Sequence, residues 1–189
     1  MKLSILVLGL TDRNTSYMLY QLHKQQTEEV EILSLIDNKS YTVSEKRNIL
    51  INLSHGDYVC FVDDDDMVED NYIQELLRWT NSDADVINFT VWISINGWTE
   101  KPVYYSKDYE NITKDGVFYR QPNHIMAIKR DIAVLVPYEN VPAEDTVFAT
   151  KINQYLKTEH IIDKMLYHYD FKESRSACQW TLHYTSKWN

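Results

Sequence analysis

The chain has 189 residues, a formal net charge of −9, and hydrophobic and charged fractions of 44% and 25%. These values predict one globular domain and exclude disordered and fibrous classes. The acidic balance excludes a broad surface for nucleic acid or anionic membrane, leaving at most a local basic groove to which Arg120, Lys129 and Arg130 contribute.

Residues 3–9 (LSILVLG) form a continuous apolar run, as a strand covered on both faces requires. The polar stretch 11–14 follows without a small-residue cleavage pattern, so the run is not read as a signal peptide. No apolar stretch approaches membrane-spanning length, and the expected location is the cytoplasm. Cys60 and Cys178 stand in no metal-binding or redox spacing and fit a reduced compartment.

Residues 15–26 place Met18, Leu19 and Leu22 at helical spacing, and residues 30–37 read as a second strand ending in Asp37. Residues 44–54 predict a helix with Ile49, Leu50 and Leu53 inward and Ser44 as its cap. Residues 58–62 form a third strand that runs into Asp63, Asp64, Asp65 and Asp66, and residues 71–80 another helix. The second half changes character. Residues 85–94 and 98–106 flank an Asn96-Gly97 turn signal and predict a hairpin. A short strand over 124–129, a helix over 143–156 with Val147, Phe148, Ile152 and Tyr155 on one side, and a closing strand over 161–169 follow. The tail is polar and aromatic, expected to be ordered only by packing.

Three strand–helix units in series imply a parallel sheet with right-handed crossovers. The expectation is therefore an α/β single domain, with a mostly parallel central sheet and a small antiparallel element in the second half. Ligands of such sheets bind beyond the carboxyl ends of the strands, which places residues 11–13, 37–40 and 63–66 on one rim. Four ionised carboxylates together repel, and strand alternation predicts Asp63 and Asp65 on one side with Asp64 and Asp66 on the other. A divalent cation offsets that repulsion. All-oxygen ligands suit Mg²⁺ or Mn²⁺ bridging to a diphosphate. The alternative use is a solvated acidic turn capping the next helix.

Residues 33–40 (LSLIDNKS), Lys46-Arg47-Asn48, residues 56–66 (GDYVCFVDDDD) and Glu144-Asp145 together resemble the ordered landmarks of family 2 glycosyltransferases with the GT-A fold. The resemblance spans roughly residues 4–169 and is most specific before Asp85. It implies a nucleotide-sugar-binding half over 1–84, an acceptor and catalytic half over 85–170, and a C-terminal tail over 171–189. It implies Asp37 on the nucleobase with Thr11 beside it, and Arg47, with Lys46 as second candidate, on base or phosphate. Arg13 shares that rim. Asp63-Asp64-Asp65 matches the family's DxD, with Asp64 near the ribose and Asp65 on the metal, Asp63 sharing both sites. Asp66 caps the following helix. His168 is a further candidate toward metal or diphosphate. Glu144-Asp145 resembles the catalytic ED pair, with Asp145 as general base.

The implied activity is metal-dependent transfer of a sugar, UDP being the implied donor nucleotide, onto an acceptor hydroxyl with inversion. The implied acceptors are a glycan, a lipid-linked glycan, a protein or a modified nucleobase, met by residues 92–120 and 139–143 and the tail. Trp98, Tyr104 and Tyr105 are candidate stacking residues. Two rival readings use the same residues. Residues 61–68 (FVDDDDMV) pass for the nucleophile motif of haloacid-dehalogenase-like phosphohydrolases, although that family carries it on its first strand. A non-catalytic nucleotide-sugar-binding domain keeps Asp37 and does without the base.

Overall fold

The computed structural model describes residues 1–95 and 100–171. The first half runs β1 (Leu3–Leu10), α1 (Ser16–Gln25), β2 (Val30–Asp37), α2 (Val43–Leu53), β3 (Tyr58–Asp63), the short β4 (Met67–Val68) and α3 (Tyr72–Trp79). The second half runs β5 (Val86–Ile95), β6 (Glu100–Tyr105), β7 (Ile112–Lys114), β8 (Val117–Arg120) and β9 (Ala127–Lys129). It closes with α4 (Arg130–Ala133), α5 (Glu144–Ile152) and β10 (Glu159–Phe171).

The strands form one mixed sheet in the order β2-β1-β3-β9-β5-β6-β8-β7, with β10 pairing β4 and β5. Its longest ladders are parallel: β1 with β2 and β3, and β10 with β5. The short β9 runs antiparallel to both β3 and β5 and joins the two halves. The expected hairpin is present as the antiparallel pair β5–β6, with Val91 opposite Val103. Its Asn96-Gly97 turn and Trp98 lie outside the described residues, as does the tail beyond Phe171.

β1 is buried from Leu3 to Gly9, as its uninterrupted apolar run demands. Met18 and Leu22 of α1, Leu50 and Ile51 of α2, and Ile73 and Leu76 of α3 belong to the same core as Phe61, Tyr72, Phe89 and Tyr167. Fully burying one such side chain contributes about 1.5–3 kcal/mol. Among the described residues no helix is long and apolar enough to cross a membrane.

Three local expectations need correction. Thr42, rather than Ser44, caps α2: its side chain accepts the Glu45 amide, and Glu45 accepts the Thr42 amide in return. That capping box starts the helix early and turns Leu53 out to solvent, with Ile51 inward in its place. α5 stops at Ile152, so Tyr155 beyond it is exposed. β9 covers only the last part of the 124–129 run, and β10 extends past both ends of the predicted closing strand.

The crossing where α2 returns to β3 is packed at backbone contact. A Cβ on Gly56 would stand 2.6 Å from the Ser4 nitrogen, and the Gly56 amide already donates to Ser4 Oγ at 2.8 Å. Gly56→Ala is expected to lower the unfolding free energy by about 1–3 kcal/mol in urea denaturation.

Candidate functional site

In-register parallel pairing sets Leu10 beside Asp37 and Leu8 beside Asp63, so three strands end on one rim. At the β2 end, the Asp37 carboxylate accepts from Lys46 Nζ at 2.5 Å and from the Tyr41 amide at 2.8 Å. Lys46 Nζ also donates to the Gly9 carbonyl at 2.8 Å. The Lys46 bond, then the Tyr41 amide, holds the Asp37 carboxyl below the usual carboxylate range. Thr11 contributes its backbone here, donating to the Asp37 carbonyl at 2.9 Å.

The four aspartates separate differently from strand alternation, because β3 ends at Asp63 and a turn begins. Asp64 is almost wholly buried and accepts from Arg13 Nη1 at 2.8 Å and from the Leu10 amide at 3.3 Å. Its carboxylate thus anchors Arg13 and the end of β1, on the wall of the cleft described below. Asp65 stays partly exposed beside the same guanidinium, at 3.5 Å. Asp66 does not cap α3. It is buried, and accepts the Tyr167 hydroxyl at 2.7 Å while that hydroxyl accepts the Asp63 amide at 3.1 Å.

Asp63 faces the opposite way. Its Oδ2 lies 3.3 Å from His124 Nε2, and its Oδ1 lies 3.6 Å from Arg47 Nη2. Burial alone would raise its carboxyl pKa; His124, Arg47 and Arg13 outweigh burial and hold it well below the ordinary range. Arg47 Nη1 reaches the other way to Glu144 Oε1 at 3.5 Å. Glu144 and Asp145 open α5 directly after Ala143, whose left-handed backbone (φ 55°) turns the chain into the helix. Asp145 Oδ1 accepts the Thr146 amide at 2.8 Å.

These groups line one cleft of about 1060 Å³. Arg13, Lys46, Arg47, Asp63, Asp64, Asp65, Glu144 and Asp145 all border it. Asp37 meets it through Lys46, and Thr11 is off its wall. His168 is placed elsewhere: its Nε2 pairs with Glu69 at 2.8 Å, beside a separate small hollow that includes Tyr17 and Met67. Pairing of β10 with β4 puts it there. The structure therefore does not support His168 as a partner of the aspartates. His124, which sequence reasoning missed, joins the site because β9 pairs beside β3. No motif spacing signals it; only the sheet order does.

No cluster of three His, Cys, Asp or Glu groups among the described residues forms a protein cage for a metal. The donor set instead fits a Mg²⁺ or Mn²⁺ held by one or two carboxylates plus substrate phosphate oxygens. Asp65, oxygen-bearing, partly exposed and on the cleft wall, fits that mode, with Asp63 next to it.

Two consequences are measurable. Because the folded pKa of Asp63 and Asp37 is depressed, their stabilisation is present above the ordinary carboxylate value of about 3.9 and is lost as pH falls toward the lower folded values. Asp63→Asn is therefore expected to flatten the acid limb of the Tm–pH curve, and an unchanged limb contradicts the pairing. Tyr167→Phe removes the acceptor of the Asp63 amide and one donor to Asp66. A cost of about 1–3 kcal/mol is expected by chemical denaturation.

Among solved structures, S. aureus TarS aligns over 90% of this chain with a TM-score of 0.66 and 13% identity. A shorter form, TarS 1–349 in complex with UDP-GlcNAc, aligns over 92% with a TM-score of 0.65 and 13% identity, and A197 from STIV over 86% with a TM-score of 0.52 and 16% identity. The chain spans 37% of the length of TarS, 59% of TarS 1–349 and 82% of A197. At these identities the likeness is one of fold. No curated protein sequence matches the chain significantly. The sequence model of glycosyl transferase family 2, however, matches residues 9–135, which sets aside the phosphohydrolase reading. The chain belongs to glycosyl transferase family 2 and has a GT-A-like mixed α/β fold.

Proposed function

We propose that the protein moves a sugar from a uridine-diphosphate sugar to an acceptor hydroxyl, with inversion and with Asp145 as general base. The observation that carries this reading is the single cleft bordered by the strand-end aspartates, the Lys46 that grips Asp37, and the Glu144-Asp145 pair. The complexes of S. aureus TarS 1–349 with UDP-GlcNAc and with UDP support the donor class.

In this reading Asp37, oriented by Lys46 and the Tyr41 amide, accepts an N–H of the base. Arg13, anchored by Asp64, faces the diphosphate from the β1 side. Asp65 and Asp63 would hold Mg²⁺ or Mn²⁺, which would supply positive charge to offset that of the departing diphosphate. His124 and Arg47 keep Asp63 ionised in a buried setting. Asp145 takes the proton of the acceptor hydroxyl as its oxygen attacks the anomeric carbon. The bond from that carbon to the diphosphate oxygen breaks, its electron pair leaves with UDP, and a single displacement inverts the centre. Val91, Val103, Tyr105 and Phe118, from the second half, form the acceptor side of the wall.

The two acid roles separate on mutation. Asp145→Asn is expected to lower turnover of UDP-GlcNAc by roughly 100- to 10,000-fold while calorimetry shows UDP binding retained. Asp65→Asn is expected to abolish the Mn²⁺-dependent part of UDP binding. Equal loss of UDP affinity in both variants contradicts Asp145 as the base.

A further inference from the structure

We infer that Arg47 is a positioning residue that fixes the general-base helix α5 against the strand-end aspartates. The inference rests on the glycosyltransfer reading above only for its kinetic consequence. The geometry itself is independent of any ligand.

The Arg47 side chain is 4% exposed, on the face of α2 that also buries Ser44, Leu50 and Ile51. Its guanidinium carbon lies 5.5 Å from the centre of the Phe61 ring, on β3, and 5.2 Å from that of Tyr138. Tyr138 in turn stacks on Phe148 of α5, with centroids 4.1 Å apart and planes 10° from parallel. The two ends of the fork point at Asp63 and at Glu144, at 3.6 and 3.5 Å. One cation therefore bridges the carboxylate of β3 to the first residue of α5 by charge, and packs on Phe61 and on the Tyr138 ring that stacks on Phe148.

α2 supports the bridge from both sides. Asn48 donates to the Tyr138 carbonyl at 2.9 Å and accepts the Tyr138 amide at 2.8 Å. Ser44 Oγ donates to the Glu139 carbonyl at 2.7 Å. Ser44, Arg47 and Asn48 sit three and four residues apart, on one helical face. That face grips the segment leading into α5. Nε and Nη1 of Arg47 are buried without a hydrogen-bond partner. The guanidinium is thus held by charge and ring faces, an arrangement that its planar, weakly hydrated fork tolerates and a lysine ammonium does not. Arg13 is the more exposed arginine of the same cleft wall, with 41% of its side chain accessible against 4% for Arg47.

The test is a double-mutant cycle of Arg47→Lys and Glu144→Gln, read by hydrogen exchange and by kinetics. Exchange at the Thr146 and Val147 amides, which bond back to the Ala143 carbonyl, is expected to accelerate by about tenfold in each variant. The double variant is expected to exchange no faster than the faster single one, since both break the same tie. UDP affinity is expected to stay within about twofold while UDP-GlcNAc turnover falls about tenfold in each. Additive exchange effects overturn the tie. So does a tenfold loss of UDP affinity in Arg47→Lys with α5 exchange unchanged, which makes Arg47 a donor contact. If the wild-type protein binds no UDP, the donor reading fails and the exchange cycle still decides the tie. If Arg47→Lys does not fold, Glu144→Gln alone decides it: unchanged exchange at α5 overturns the inference.

Discussion

Four carboxylates follow one another where the buried strand β3 meets the cleft. Two unit charges 4 Å apart repel by about 4 kcal/mol at an effective dielectric of 20, so this run demands compensation. The compensation comes from three separate parts of the chain: Arg13 after β1, Arg47 on α2 and His124 before β9. Asp66 is buried at the cleft's inner wall and accepts the Tyr167 hydroxyl. The convergence of these elements on one strand end gives the cleft its shape. It also leaves Asp65 as the outward carboxylate through which a cation and phosphate would add further charge balance.

α2 divides the site's labour between two adjacent side chains. Consecutive residues on an α-helix point about 100° apart. Lys46 therefore turns to the ends of β1 and β2, where it grips Asp37 and the Gly9 carbonyl. Arg47 turns to β3 and α5. The Thr42–Glu45 capping box sets the start, and hence the rotation, of that helix. A local backbone device thereby fixes both the Asp37 carboxylate and the spacing of Asp63 and Glu144.

Much of this was legible in the sequence. The apolar runs that end in Asp37 and Asp63, with helical periods between them, specify the parallel half and its rim. Glu144-Asp145 stands out as an acidic pair at a helix start. What stayed hidden depends on non-local pairing. His124 carries no spacing signal and reaches Asp63 only because β9 inserts beside β3. His168 looked equally eligible, yet the pairing of β10 with β4 turns it toward Glu69. Strand alternation does not sort the four aspartates, and Asp66 does not cap the next helix, because β3 stops one residue into the acidic run and a turn replaces it. Ser44 lost the cap to Thr42 because Glu45 completes a reciprocal pair of bonds with Thr42 alone.

The central claim is that the rim of β1, β2 and β3 binds a nucleoside diphosphate together with a divalent cation. Thermal unfolding with a panel of nucleoside diphosphates, each with and without Mn²⁺, tests it most directly. A ligand at 100 times its dissociation constant stabilises by about 2.7 kcal/mol, a readily visible rise in Tm. The account predicts such a rise with UDP and Mn²⁺ together, and little with either alone. No rise with any nucleotide, with or without the metal, would contradict it.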